Sequence, residues 1–260
     1  MLKGRSAIVT GSTSGIGRGI AHALAKEGVN IMANGFGDTP ETIATVKSEI
    51  AAFGVKADYN PADVGKPEQI DAMVDATVKA FGSVDIVINN AGIQFVSPVD
   101  NFPLEKWDAI LATNLSSAFY TTRRALPLMR NKGWGRIINI ASAHGLVASA
   151  NKSAYVAAKH GIIGLTKTVA LETAKDGITC NAICPGWVLT PLVQKQIDAK
   201  AAQEGTSKEQ EAKKFLAEKQ PAMEFVTPEQ IGGLVVFLCS ENAKLMTGSA
   251  YSIDGGWVAG

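Results

Sequence analysis

Tyr155-Val156-Ala157-Ala158-Lys159 places a phenol and an ammonium four residues apart, a spacing that puts both on one helix face with their tips close. A cation beside a phenol stabilises the phenolate. Lys159 is therefore expected to depress the Tyr155 pKa, helped by any oxidised nicotinamide, and to make Tyr155 an acid or base usable near neutral pH. Such a pair alone is most often an ordinary helix face. Ser142 changes that reading, because it ends the run Ile137-Ile138-Asn139-Ile140-Ala141, 13 residues before Tyr155, where its hydroxyl can hold a substrate oxygen. Asn114, inside a long helical stretch, can bend that helix through a backbone water or bridge to Lys159.

A second group suits phosphate. Thr10-Gly11-Ser12-Thr13-Ser14-Gly15-Ile16-Gly17 follows a short apolar run and opens a helical pattern, so its glycines let a pyrophosphate approach a helix amino terminus. The spacing Gly-x-x-x-Gly-x-Gly differs from the common Gly-x-Gly-x-x-Gly fingerprint. About 20 residues on, NAD enzymes often carry an acid and NADP enzymes a basic residue. Here the second run ends Asn34-Gly35-Phe36-Gly37-Asp38, with no Arg or Lys in the turn. Asp38 sits in the loop, Phe36 can pack on an adenosine, and Arg18 reads as a solvated helix side chain; NAD is preferred over NADP. Asp63-Val64 suits an adenine contact, or equally a helix cap.

Four polar residues fall near the same strand ends: Gln94, His144, Lys152 and Gln196. Each also has an ordinary reading, as surface, turn or capping residue. Together beside Ser142 and Tyr155 they describe a cationic, amide-lined pocket for a small carboxylate, Lys152 supplying charge and the others hydrogen bonds.

Positioning these groups requires a sheet. Strand-like runs at 6–10, 29–34, 55–59, 84–89, 136–141, 178–183 and 250–253 alternate with helical patterns at about 15–27, 40–53, 67–81, 104–131, 153–175 and 228–239. That rhythm predicts one α/β domain over 1–260, a doubly wound Rossmann fold on a seven-stranded parallel sheet. The runs are continuously apolar, as strands covered on both faces should be. The stretch 190–220, rich in Lys, Gln, Glu and Ala, breaks the rhythm with two polar helices and reads as a substrate lid.

Composition excludes other classes. With 260 residues, 46% hydrophobic and 19% charged, the chain is long enough for a core and is not disordered in character. Twenty-five basic against 24 acidic residues leave +1, without a basic block, so nucleic acid is not the expected partner. Gly11 interrupts the first apolar run too early for a signal peptide, and no run is long enough to span a membrane. Cys180, Cys184 and Cys239 form no Cys-x-x-Cys pair and suit buried thiols of a cytoplasmic protein; no metal site is expected.

Taken in order, Thr10-Gly11-x-x-x-Gly15-Ile16-Gly17, Asn89-Asn90-Ala91-Gly92, Asn114, Ser142, Tyr155-x-x-x-Lys159 and Pro185-Gly186 resemble the short-chain dehydrogenase/reductase family over essentially the whole chain. The resemblance implies hydride transfer between an alcohol and a carbonyl through NAD(P). Tyr155 would be the acid/base, Ser142 would orient the oxygen, Lys159 would hold the nicotinamide ribose and Asn114 would support a proton relay. It implies a cofactor site of Gly11, Thr13, Ser14, Gly15, Ile16, Gly17, Phe36, Asp63, Val64, Asn90, Ala91, Gly92, Tyr155, Lys159, Pro185, Gly186, Val188 and Thr190, in a homotetramer.

A narrower likeness lies in Ser142 to Tyr155, Asn90 to Gln94, Cys184-Pro185-Gly186-Trp187 and Gln220-Pro221, which resemble the family of bacterial D-3-hydroxybutyrate dehydrogenases. That likeness implies that Gln94, His144, Lys152 and Gln196 hold a carboxylate and that Trp187 and Trp257 wall the pocket. The implied reaction is (R)-3-hydroxybutyrate with NAD to acetoacetate and NADH. The alternative within the family is an NADPH-dependent 3-oxoacyl thioester reductase; outside enzymes it is a non-catalytic NAD-binding scaffold.

Overall fold

A computed structural model describes residues 2–259. Seven strands, β1 (Ser6–Val9), β2 (Asn30–Asn34), β3 (Ala57–Asn60), β4 (Ile86–Asn89), β5 (Gly135–Ile140), β6 (Ile178–Pro185) and β7 (Ala250–Ile253), form one parallel sheet in the order β3-β2-β1-β4-β5-β6-β7. Each lies within about two residues of its expected run. The order reverses between β1 and β4, whose carboxyl ends therefore diverge into a crevice.

Helices cover both faces. On one, α1 (Gly15–Lys26) and α9 (Pro228–Cys239) bury Ile20, Leu24, Ile231 and Val235 against β1, β4 and β5. On the other, α3 (Pro67–Phe81) and α5 (Ser117–Lys132) bury Ile70, Met73, Val74 and Met129. Each of these large apolar side chains contributes roughly 2 kcal/mol through burial. The second connection, α2 (Pro40–Ala51), starts at a Thr39 cap that accepts the Thr42 N–H, with Pro40 in the first turn. Among the described residues no helix is long and apolar enough to cross a membrane.

Two departures from the expected elements bear on the site. The single helix expected over 104–131 is α4 (Leu104–Leu111) and α5, joined by a five-residue π turn, Ala112–Ser116, centred on Asn114. And 190–220 is a hairpin of α7 (Pro191–Glu204) and α8 (Lys208–Lys219), packed over the crevice from the strand end that α6 (Ser153–Thr173) precedes. A lone parallel bridge, Val188 to Val226, fastens the base of this hairpin.

Candidate active site

The carboxyl ends of the strands open on a cavity of about 820 Å³. Its floor is the glycine turn after β1. Thr10 Oγ1 accepts the N–H groups of Asn90 and Ala91 at 2.9 and 3.0 Å, and Asn90 Nδ2 donates to the carbonyls of Thr10 and Gly11 at 2.8 and 3.0 Å. Gly11 and Gly15 sit at φ +61 and +52, in the left-handed region. At Gly17 a Cβ would lie 2.5 Å from Asn90 Nδ2 and nearer still to the Gly11 carbonyl, so only glycine lets α1 pack this close. Helix α1 starts at Ser14 with no side-chain cap and no acid in its first turn. Ser14, Gly15 and Ile16 line the cavity, and no side chain among the described residues caps the leading N–H groups of the helix, which fits a dinucleotide pyrophosphate.

At the far end of the cavity, Asn34 reaches across three loops. Its Oδ1 accepts the Gly11 N–H, and its Nδ2 donates to the carbonyls of Asn60 and Ala62 at 3.0 and 2.9 Å. Beyond it, Tyr59 Oη donates to Asp38 Oδ2 and the Gly35 carbonyl, both at 3.0 Å; burial and then Asp38 push the Tyr59 phenol up to about 12. Phe36 stands 74% exposed at the rim. Asp63 Oδ1 accepts the Gly65 N–H at 2.9 Å, so it closes a loop rather than capping α3, and Val64 beside it lines the cavity. Arg18 points away, in a two-pronged pair with Glu49 on α2. The only Lys or Arg among the described residues lining the cavity are Lys152 and Lys159, both at the other end.

That other end holds the reacting groups. Ser142 caps a short 3-10 turn, its Oγ accepting the His144 N–H at 3.1 Å, and lies beside Tyr155 at the start of α6. Lys159 is one turn further on, buried, with Nζ 5.6 Å from the centre of the Tyr155 ring and donating to the Ile140 carbonyl at 2.7 Å. The expected depression of the Tyr155 pKa is not found. Burial raises it, and the opposing influence is the hydrogen bond from Ser142 rather than the ammonium. Lys159 is itself desolvated, its pKa brought down to about 8, and its Nζ is turned onto the strand carbonyl.

Asn114 stands at the centre of the π turn, where the helical stretch is interrupted. Both ends of its amide are taken by one residue: Oδ1 accepts the Ile93 N–H at 2.8 Å and Nδ2 donates to the Ile93 carbonyl at 2.9 Å. It makes no direct bridge to Lys159. The π turn aims Asn114 at the loop after β4, and so fixes the residue next to Gln94.

Of the four polar candidates, His144, its ring centre 6.0 Å from that of Tyr155, and Lys152, at the N-cap of α6, lie at the Ser142–Tyr155 end. Gln94, His144, Lys152 and Gln196 all line the cavity, from four separate stretches of chain. His144 is buried, with Nε2 2.9 Å from Ser149 Oγ; burial, and then the Lys152 charge, bring its pKa down to about 4, leaving it neutral. Lys152 follows Asn151, whose φ of +64 turns the chain and whose carbonyl accepts the Ser97 N–H at 2.9 Å. The Lys152 pKa is lowered by burial, against the attraction of Glu218. Aromatic rings form the wall. Phe215 lies 5.3 Å from Trp187, Trp187 is 5.9 Å from Trp257, and Trp257 is 5.0 Å from His144, centre to centre.

Gly11, Thr13, Ser14, Gly15, Ile16, Asn90, Ala91, Gly92, Pro185, Gly186, Val188 and Thr190 also line this one cavity; of the residues expected at the site, Gly17 and Asn114 alone stand behind it. Sequence reasoning passed over Asn34 and Ile93. An Asn closing a strand beside the glycine turn was a usable signal for the first, whereas nothing local marks Ile93.

The chain's similarities agree with this geometry. The family model described as enoyl-(acyl carrier protein) reductase matches residues 11–258. A D-beta-hydroxybutyrate dehydrogenase of Cupriavidus necator is 58% identical over 259 residues, covering 100% of both chains. A second protein of that name, from Rhizobium meliloti, is 54% identical over 256 residues, covering 98% of this chain and 99% of its own. Among solved structures, L-sorbose reductase from Gluconobacter frateurii, complexed with NADPH and L-sorbose, superposes with a TM-score of 0.95 at 33% identity, covering 99% of this chain and 98% of that one.

Proposed function

The chain belongs to the short-chain dehydrogenase/reductase family, and from that premise we propose that it oxidises (R)-3-hydroxybutyrate to acetoacetate, reversibly, with NAD. The observation that carries the substrate is that Lys152, Gln94, His144 and Gln196 line one cavity with Ser142 and Tyr155, in which, among the described residues, Lys159 is the one other Lys or Arg. A carboxylate there is drawn by Lys152 and given hydrogen bonds by the two amides and the neutral imidazole. Relatives 58% and 54% identical carry the matching name.

The glycine turn, the uncapped start of α1 and the Asn34 and Asp38 end would hold NAD, which when bound accepts the hydride from C3. The remaining work belongs to side chains. The Tyr155 phenolate takes the hydroxyl proton and Ser142 steadies the substrate oxygen. Carboxylate anchoring uses binding energy from a non-reacting group to orient C3. Lys159, tied to the Ile140 carbonyl, stands where it would meet the nicotinamide ribose. Since burial raises the Tyr155 pKa in the chain itself, oxidation is favoured by alkaline pH and by the positive charge of an oxidised nicotinamide.

The hairpin of α7 and α8 serves as the lid, bringing Gln196 over the acid. A homotetramer in the cytoplasm completes the reading, supported by the family likeness, by exposed apolar side chains such as Leu104, Phe119 and Leu245, and by three buried free thiols.

The test is NADH formation by the purified protein with (R)- and (S)-3-hydroxybutyrate offered separately, and with NADP replacing NAD. Turnover is expected with the (R) acid and NAD, and Tyr155→Phe should abolish it while cofactor affinity stays. Silence with both acids, together with reduction of 3-oxoacyl thioesters by NADPH, would overturn the assignment.

A further inference from the structure

Gln220, the residue that follows α8, has a completely buried side chain at the base of the lid. Its Oε1 accepts the Trp187 N–H at 2.7 Å, and its amide nitrogen donates to the Glu224 carbonyl. The Trp187 carbonyl accepts the Val226 N–H at 2.9 Å, so the peptide groups on both sides of Trp187 are held by the segment that closes the lid. The indole N–H of Trp187 has no hydrogen-bond partner among the described residues. Its ring is therefore placed by its backbone and by packing against Phe215 and Trp257.

The same amide presses on the loop that carries Trp257. A Cβ on Gly186 would lie 2.5 Å from Gln220 Oε1 and 2.8 Å from Asp254 Cα, and one on Gly255, at φ +58, would lie 2.6 Å from Gln220 Cγ. Ala222 N–H donates to the Gly255 carbonyl at 2.9 Å. Gln220 is thus wedged between the two loops whose tryptophans wall the acid end of the cavity, and two glycines make room for it.

We propose that Gln220 is a positioning residue that sets the separation of Trp187 and Trp257, and through it the length of acid the pocket accepts. The proposal rests on the 3-hydroxy acid reading above. A buried amide that has lost its partners leaves the Trp187 N–H and the Glu224 carbonyl unsatisfied, and the loops part to let water reach them. A wider gap between the indoles weakens the hold on a four-carbon acid and admits one more methylene, while the glycine turn at the other end is untouched.

The experiment compares wild type with Gln220→Met, which keeps length without hydrogen bonds, and with Gly255→Ala, which leaves Gln220 in place and pushes on it. In both variants KM for (R)-3-hydroxybutyrate should rise about tenfold, with KM for NAD within about twofold and kcat within about threefold. Preference for the four-carbon acid over its one-methylene-longer homologue should narrow in step. A rise in both KM values together, a fall in kcat alone, or an unmoved chain-length preference would overturn the role. Should Gln220→Met fail to fold, Gly255→Ala decides by the same readings. Wild type silent on the acid fails the proposed reaction instead, and tryptophan emission then tests Gln220: a shift to longer wavelength in either folded variant supports the wedge, and unchanged emission refutes it.

Discussion

His144 shows how burial decides what a side chain can contribute. With its pKa near 4 it carries no charge at neutral pH, so the imidazole can offer a hydrogen bond to an anion but not a cation, whereas Lys152 beside it can supply one. Its folded pKa lies below the ordinary value of about 6.5, so the unfolded chain binds the extra proton more readily between those limits. Its contribution is intact above about pH 6.5 and is lost as pH falls through about 4, at most about 3.4 kcal/mol in all. His144→Gln, which keeps a donor, should therefore flatten the stability curve between pH 4 and 6.5, as read by urea denaturation at pH 4.5 and 7. Parallel curves for variant and wild type would remove His144 from the acid sensitivity of the fold. At this scale the candidate catalytic group was legible as a cluster, because Ser142, Tyr155 and Lys159 are close in sequence, one helix turn relates the last two, and all three line one cavity. The sign of the Tyr155 shift was not: spacing shows that a cation is near, but not that both groups are desolvated and the ammonium is bound to Ile140. Gln220 was legible only as a matched residue, since its partner Trp187 lies 33 residues away.

Elements add constraints that no single residue carries. The π turn in the α4–α5 stretch was invisible to periodicity, because Ala112-Thr113-Asn114-Leu115-Ser116 is flanked by helix-compatible sequence and the bulge is stabilised by a tertiary contact, Asn114 to Ile93. The interruption of the rhythm at 190–220 was legible, and two helices appear where the polar composition placed them. Composition did not show what joins them. Lys214 Nζ lies 3.0 Å from Glu204 and 2.6 Å from Glu211, Lys200 is 2.7 Å from Glu204, and Lys208 on α8 is 3.0 Å from Asp198 on α7. The Glu211 side chain is buried and also accepts from Thr206 Oγ1 at 2.7 Å. This network ties α7 to α8. Lys214→Ala should accordingly speed amide hydrogen exchange across 191–219 without changing it in β1 to β7, and added salt should mimic part of the effect in wild type. Exchange that accelerates in the sheet as much as in the hairpin would show instead that the network stabilises the whole fold.

Across the whole molecule, the alternation of apolar strands with amphipathic helices dictates a parallel sheet, since each strand must return to the same edge by a right-handed crossover. Once the order reverses between β1 and β4, every carboxyl-end loop faces one crevice, which is why residues as distant in sequence as Gly11 and Trp257 line the same cavity. The crevice is electrically polarised. Lys152 and Lys159 stand at the Tyr155 end, and Asp38 and Asp63 at the other, where Arg18 is already committed to Glu49. A ribose with free hydroxyls can give hydrogen bonds to a carboxylate there, whereas a 2′-phosphate would meet Asp38 with no cation to offset it. Reversing that local charge should reverse the preference. Phe36 is exposed at the rim, so Phe36→Arg costs little packing, and pairing it with Asp38→Ser removes the repelling carboxylate along with the acceptor of the Tyr59 hydrogen bond. The double variant should raise kcat/KM for NADP relative to NAD by at least about tenfold, as expected of a charge-assisted Arg–phosphate contact, with KM for the hydroxy acid little changed because Lys152 lies at the opposite end. A ratio that stays at the wild-type value would mean that cofactor choice is fixed by loop shape around Asn34 and Gly35, and not by the charge at this end of the crevice.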